Sequence, residues 1–256
     1  MDILVSELVQ RFYTLLWPMI RVSAFLLAAP FFSLRAVNVR VRVLLAALLT
    51  LMVYPLVDWP IIDPYSAAGL REIFNQVLIG TVMGMLLQIV NASLVVGGQA
   101  VSAAMGLGMA NMIDPNMGNV PVISQFFIVC STLIFMGMGG HVLVISLVLE
   151  SFKSLPIGQI LDPDMLMAVL LQWSSMIFLG ALLLSLPIMV TLLFVNIGVG
   201  VITRAAPALN IFAVGFPAMI LVGMVLLATS MTSIGYRIQW LWRESFVVVG
   251  QALGVT

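Results

Sequence analysis

The chain has 256 residues, 62% of them hydrophobic and only 8% charged, with a mass of 27.7 kDa and a mean hydropathy of +1.21. Soluble domains carry about 25% charged residues to cover their surface, and disordered chains combine low hydrophobicity with high charge, so both classes are excluded. The formal net charge of zero removes the electrostatic basis for nucleic-acid binding, and the single cysteine, Cys130, excludes an internal disulfide or a cysteine-held metal cluster.

The composition is that of an integral membrane protein, read as one domain over 1–256. Charge-free stretches run over 43–57, 73–113, 115–149, 165–203 and 205–236. Runs such as Leu166–Leu171 and Leu179–Leu186 do not alternate between apolar and polar residues, which excludes a transmembrane barrel and predicts an all-α fold. Six apolar segments follow, at about 12–32, 41–57, 74–97, 123–148, 166–195 and 210–235.

The first segment, Phe12–Phe32, is interrupted only by Arg21. Asp2 and Glu7 precede Arg11, the first basic residue, so the segment reads as a retained helix and not as a signal peptide. Asp63-Pro64 reads as a helix start ahead of Arg71 and Glu72. Gly80 and Gly84 form a small-xxx-small pair of the kind that packs helices in membranes. Stretches 73–113 and 165–203 are too long for one straight span, since 165–203 as helix would reach about 58 Å, roughly twice the hydrocarbon thickness. Gly97-Gly98 and Gly106/Gly108 are the break points in the first, and Pro187, Gly198 and Gly200 in the second. Such breaks serve either ordinary kinked packing or helices that line something irregular.

Asp162-Pro163-Asp164 places a capping carboxylate before a proline at the first helical position. In Arg237–Phe246, Trp240 and Trp242 interleave with arginines, which predicts a position at the membrane–water boundary and puts Gly250–Thr256 outside the apolar layer. Basic residues divide almost evenly between the two sides. Arg35, Arg40, Arg42 and Arg204 fall on one, and Arg11, Arg71, Lys153, Arg237 and Arg243 on the other, so the positive-inside rule gives only a weak orientation.

Catalytic signatures are absent. There is no phosphate-binding glycine loop, no His-Glu-x-x-His, no Gly-x-Ser-x-Gly and no Cys-x-x-Cys, and His141 is the single histidine. Only Asp114 and Glu150 border spans, and neither sits in the middle of one, which argues against a carboxylate-relay pump. No cofactor or metal is expected, and the reading is non-enzymatic. Gln88, Asn91, Gln99, Asn196, Arg204 and Asn210 lie in apolar surroundings, so each must face protein or water.

Met105–Val122 (MGLGMANMIDPNMGNVPV) is the most unusual stretch. Met105, Met109 and Met112 are spaced for one helical face, and Met117 follows. Glycines 106, 108 and 118 with Asp114-Pro115 prevent a regular helix throughout. By periodicity alone this is either a short packed connection or a deformable seal built from adaptable thioethers.

The run Arg204-Ala-Ala-Pro-Ala-Leu-Asn-Ile-Phe-Ala-Val-Gly-Phe-Pro217 closely resembles the signature of the FliR family of flagellar export-gate proteins and its virulence-secretion relatives. Gly139-Gly140-His141, Ser151-Phe152 and Pro156-Ile157-Gly158 resemble that family's central region. Ala29-Pro30, the Arg35–Arg42 loop and Pro55 resemble its first hairpin. The resemblance covers essentially the whole chain, with one departure in Val142, where a second polar residue often accompanies the histidine. It implies long kinked helical hairpins in the bacterial inner membrane, within the flagellar basal body. It also implies assembly with FliP and FliQ, with FlhB and FlhA completing the apparatus, and passage of unfolded secreted subunits. Gly106 to Asp114-Pro115 falls where the family has its glycine-rich plug loop. The implied plug residues are Met105, Gly106, Leu107, Gly108, Met109, Asn111, Met112, Asp114, Pro115, Met117 and Gly118. The implied assembly residues are Arg204, Pro207, Asn210, Phe212, Gly215 and Pro217, with His141.

Three other readings compete. A virulence secretion system would use an equivalent subunit. A secondary transporter would need paired repeats with broken helices; Ala28-Ala29-Pro30 and Ala205-Ala206-Pro207 are each followed by Ala-Val at the same offset, but the flanking spans do not extend the match. An intramembrane enzyme would need a nucleophile–base pair using His141.

Overall fold

The computed structural model describes residues 2–31, 38–57, 59–107, 121–159, 162–205 and 211–255, without the side chains of 2–9, 211–214 and 216. Its regular elements are helical: α1 (Asp2–Ala28), α2 (Val39–Val53, continued by a 3-10 turn Tyr54–Leu56), α3 (Ala67–Ala104), α4 (Val122–Gly137), α5 (Gly140–Ser154), α6 (Pro163–Ser174), α7 (Met176–Ala205) and α8 (Ile211–Ala252). Among the described residues, Val39–Leu56, Ala67–Ala104, Pro163–Ala205 and Pro217–Ala252 are each long and apolar enough to cross a membrane. Val122–Gly137 and Gly140–Ser154 add a fifth as a broken pair. This is an all-α membrane protein.

Several boundaries differ from the sequence reading, each for a local reason. The span expected at 123–148 is interrupted at Met138–Gly139, where Gly139 takes φ +71°, a conformation open to glycine at no steric cost. Segment 74–97 is longer than read, because α3 runs from Ala67 to Ala104 without a break at Gly97-Gly98. It therefore includes Glu72, which places a carboxylate inside a spanning-length helix. Likewise α7 continues through Pro187, Gly198 and Gly200, and the interruption in 163–205 falls at Ser175. There the Ser175 carbonyl accepts from both Phe178 and Leu179 N–H at 3.2 Å and starts α7 afresh. The last helix extends to Ala252, beyond the expected 235.

The chain divides into two compact units. The first comprises Met1–Ile89, Gly139–Ser174 and Arg243–Thr256. Here α3 crosses α1 at Gly80 and Gly84. A Cβ at Gly84 would lie 2.5 Å from Ala28 Cβ, and one at Gly80 would lie 2.9 Å from Ala24 Cβ, so only glycine permits the approach. The small-residue pair read from the sequence is a backbone crossing. Ser66 caps α3, its hydroxyl accepting from Gly69 N–H at 3.0 Å, while Asp63 accepts from Tyr65 N–H at 3.0 Å in the preceding turn. The cap thus sits three residues after the expected one. α6 starts as expected: Asp162 Oδ1 accepts from Asp164 N–H at 3.1 Å, with Pro163 at the first helical position. Trp173 holds α6 to α3 by donating its indole N–H to Leu86 O at 3.1 Å.

The second unit comprises Val90–Met138 and Ser175–Trp242. Its helices meet at small residues. A Cβ at Gly98 would lie 2.5 Å from Ser124 Cα of α4, one at Gly97 would lie 3.2 Å from Ala181 O of α7, and one at Gly180 would lie 3.0 Å from Ser93 Cβ of α3. The Ser124 hydroxyl also donates to Val95 O at 2.9 Å. Gly97 and Gly98, expected to break α3, instead admit its neighbours. Trp242 of the arginine-flanked segment is fully buried against Phe135, ring centroids 4.8 Å apart.

Candidate functional site

The chain's most unusual sequence leaves α3 at its C-terminal end, so the site is built from there. Met105 N–H still bonds to Val101 O at 3.0 Å and Gly106 N–H to Ala103 O at 3.0 Å, but Gly106 takes φ +79° and the helix stops. A left-handed glycine just past the last helical residue is the common way to end a helix. Met105 is fully buried, and Gly106 and Leu107 are half-buried. Of the expected plug residues, Gly108, Met109, Asn111, Met112, Asp114, Pro115, Met117 and Gly118 lie outside the described residues. The chain resumes at Pro121, and α4 begins at Val122 with Ser124 seated against Gly98. Both described ends of the segment therefore belong to one tightly crossed helix pair.

A groove of about 360 Å³ opens beside this end, lined by Ala104 of α3, Leu186, Met189, Leu193 and Asn196 of α7, and Met219 of α8. Asn196 is exposed, as are Gln88 and Gln99, whereas Asn91 is buried and its Oδ1 has no hydrogen-bond partner.

The expected assembly residues run from the last turn of α7 into the first turns of α8. Arg204 stands exposed in the last turn of α7, where a cation is favoured by the helix dipole. Pro207 and Asn210 lie outside the described residues, as does the side chain of Phe212. Gly215 is buried in α8 and Pro217 is exposed within it. His141 is exposed in the first turn of α5.

One cluster was not singled out from the sequence. Arg21 of α1 is fully buried. Its Nε donates to Gln76 Oε1 at 2.6 Å, Nη1 to Ser151 O at 2.5 Å and to Ser151 Oγ at 3.2 Å, and Nη2 to Leu155 O at 2.7 Å. The guanidinium carbon also lies 4.3 Å from the Phe152 ring centroid, within cation–π range. Gln76 in turn donates from Nε2 to Glu72 Oε1 at 2.5 Å. One amide thereby joins a buried cation to a buried carboxylate, its oxygen toward Arg21 and its nitrogen toward Glu72. Leu155 O lies just past the end of α5, a place where carbonyls lack intrahelical partners, so Arg21 also caps that helix. A lone charge inside the apolar run 12–32, and a Glu–Gln pair four residues apart, were the available signals.

Among the described residues no group of three or more His, Cys, Asp or Glu side chains could hold a metal ion. The site is one of packing, helix ends and buried polar bonds.

The sequence profile of the bacterial export proteins, family 1, matches residues 12–245. The chain belongs to this family. Its relatives include the flagellar biosynthetic protein FliR of Pectobacterium carotovorum, 34% identical over 93% of this chain and 91% of that protein. FliR of Escherichia coli is also 34% identical, over 90% and 88% of the two chains, and FliR of Bacillus subtilis is 26% identical over 90% of each. The resemblance read from Arg204–Pro217 is borne out along nearly the whole chain. Membership of the FliR family and the spanning-length helices together make this a multi-pass inner-membrane protein of the export family.

Proposed function

We propose that this chain is a non-enzymatic subunit of the flagellar protein export gate. It assembles with FliP and FliQ, next to FlhB and FlhA, into the channel through which unfolded flagellar subunits leave the cytoplasm. The observation that carries the assembly reading is the outer face of α7. Phe178, Leu182, Leu186, Phe194, Ile197 and Val201 are all exposed along this one helix, which also carries the groove residue Asn196. Lipid can cover apolar side chains, but an exposed asparagine among them calls for protein or water. The flagellar reading is supported by the relatives, which bear flagellar names.

In this reading the glycine- and methionine-rich segment 105–119 closes the path at rest. A gate for unfolded chains must pass varied side chains yet retain ions. Methionine repacks around a changing partner, glycine lets the backbone move aside, and an apolar constriction resists ions by dewetting.

The test has two parts. Co-expression with FliP and FliQ homologues is expected to give a stable complex, and the chain alone to aggregate. A monodisperse isolated chain would overturn the assembly reading. Deleting Gly106–Asn119 is expected to leave the complex assembled and the membrane leaky to small solutes. An assembled deletion variant that stays tight would overturn the gate reading alone.

A further inference from the structure

One cleft of the second unit breaks the pattern of the apolar faces around it. It measures about 830 Å³ and is walled on one side by Leu183 of α7, and on the other by Thr229, Thr232, Ser233, Tyr236, Arg237 and Trp240 of α8. Steps of three and four residues put the α8 side chains on one helical stripe. Thr229 is satisfied within its own helix, its hydroxyl directed to Val225 O at 3.0 Å and Leu226 O at 3.1 Å. Thr232, Ser233 and Tyr236 are exposed and Arg237 is half-buried, and none of these four has a hydrogen bond, ion pair or ring contact among the described residues. Of the described residues that line the cleft, none is acidic. The next turns of the stripe toward the N-terminus carry Val225 and Leu221, both exposed and apolar. The stripe therefore changes along the helix axis, from arginine through hydroxyls to hydrocarbon.

We infer that this cleft binds an anionic phospholipid, with its phosphate on Arg237 and an acyl chain running past Leu183 toward Val225. Arg237 is the first charge after the charge-free stretch 205–236, and Tyr236 and Trp240 stand exposed beside it. Arginine and amphipathic rings favour the membrane–water boundary, and a guanidinium offers paired donors to phosphate oxygens. With no carboxylate in the cleft, the arginine favours a headgroup of net negative charge over a zwitterionic one. Ser233 and Thr232 lie four and five residues before Arg237, about 6–8 Å along the helix. That is close to the depth of the polar region on each side of a bilayer, about 5–7 Å. Their hydroxyls thus fall at the level of the glycerol esters, and Val225 at the level of the chains. A water-filled path would need polar side chains along the whole stripe. A partner's carboxylate would engage Arg237 and leave the hydroxyls beneath it without a role. The two tryptophans of Arg237–Phe246 divide accordingly, Trp242 serving the core and Trp240 the cleft. The inference involves only α7 and α8 and is independent of the gate reading.

The experiment uses membranes that contain the full chain with its co-expressed partners. They are fused with vesicles of a photoactivatable phosphatidylglycerol and irradiated, and the cross-linked positions are mapped by mass spectrometry. Cross-links are expected on the 229–240 stripe. Arg237→Gln is expected to reduce them at least fivefold, and Arg243→Gln, at an exposed arginine outside the cleft, to leave them unchanged. Ser233→Leu fills the cleft from an exposed position and is also expected to reduce them; it carries the comparison if Arg237→Gln lowers the amount of chain. Unlabelled phosphatidylglycerol should compete, whereas phosphatidylcholine at the same concentration and inorganic phosphate should not. A stripe free of cross-links overturns the inference and leaves a partner chain as the occupant. Equal cross-linking of the original chain and the Arg237→Gln variant also overturns it. Competition by millimolar inorganic phosphate would mark a free-anion site and overturn the lipid assignment.

Discussion

Trp242 donates its indole N–H to the Ser131 hydroxyl across 2.9 Å, joining α8 to α4 between two fully buried side chains that are 111 residues apart. An indole is amphipathic and is at home at a membrane boundary, but inside a helix bundle its N–H must find an acceptor. Trp242→Phe keeps a ring against Phe135 and loses the bond, which should cost about 1 kcal/mol. Trp242→Ala also leaves a cavity and should cost about 3–5 kcal/mol. Thermal unfolding of the purified complex checks the order; equal losses would show that the hydrogen bond and not the ring carries the contact.

The Arg21 cluster should respond asymmetrically. Arg21→Met removes the donors to Gln76, Ser151 and Leu155 and leaves their buried acceptors unpaired. Leaving a buried acceptor without its donor costs about 1–3 kcal/mol each, enough to lower complex yield. Arg21→Lys retains the charge but replaces a planar fork by a point donor, and should recover less than half of the loss. Glu72→Gln can still accept from Gln76 and should be the mildest of the three. Yield and melting temperature of the three variants, ranked, decide this.

Glycines should divide into two groups on substitution. Gly84→Val and Gly98→Val drive a side chain into Ala28 and Ser124 respectively, and are expected to abolish folding or assembly. Gly200 is exposed in α7, and a methyl group added there would have nothing within 4 Å. Gly200→Ala should therefore meet no clash within this chain and gain up to about 1 kcal/mol of helix propensity. Protease resistance of the chain in the co-expressed complex is a sufficient measure, and a folded Gly84→Val protein would refute the crossing.

Arg204 and Lys153 are both exposed basic residues near helix C-termini. Lys153 shares the last turn of α5 with the polar Glu150 and Ser154, whereas Arg204 follows the apolar exposed residues Val201 and Ile202 of α7. If the end of α7 meets a partner, Arg204→Leu should reduce the yield of the co-expressed complex several-fold and Lys153→Leu should leave it unchanged. Equal yields would remove Arg204 from the interface.

Features fixed by nearest neighbours along the chain were legible in the sequence. The Asp162-Pro163 start of α6 and the Gly80/Gly84 crossing needed only a few consecutive residues, and the family signature at Arg204–Pro217 is equally local. Gly97 and Gly98 were misread because a glycine that bends a helix and one that admits a neighbour look the same in one dimension. What separates them is the presence of Ser124 and Ala181, far along the chain. The Arg21 cluster was missed for the same reason: its partners lie 55 and 130 residues away. Within the candidate gate, the stop at Gly106 was readable as turn chemistry. The seating of Met105 on Gly223 of α8, where a Cβ would lie 2.6 Å from the methionine Cγ, was not, since nothing in a methionine's sequence context names the backbone it will lie against.

The lengths of α2 and α3 set a condition on the lipid. With its 3-10 extension, α2 spans 18 residues, Val39–Leu56, while α3 spans 38, or about 27 Å and 57 Å at 1.5 Å per residue. A hydrocarbon layer about 30 Å thick is nearly matched by the first and greatly exceeded by the second, and mismatch costs fractions of a kcal/mol per Å. Thickening the bilayer would strand the ends of α2, while α3 would still reach beyond both faces. Protein reconstituted in lipids of increasing acyl length should therefore lose stability from the α2 end first, making this short helix the part of the molecule most sensitive to membrane thickness.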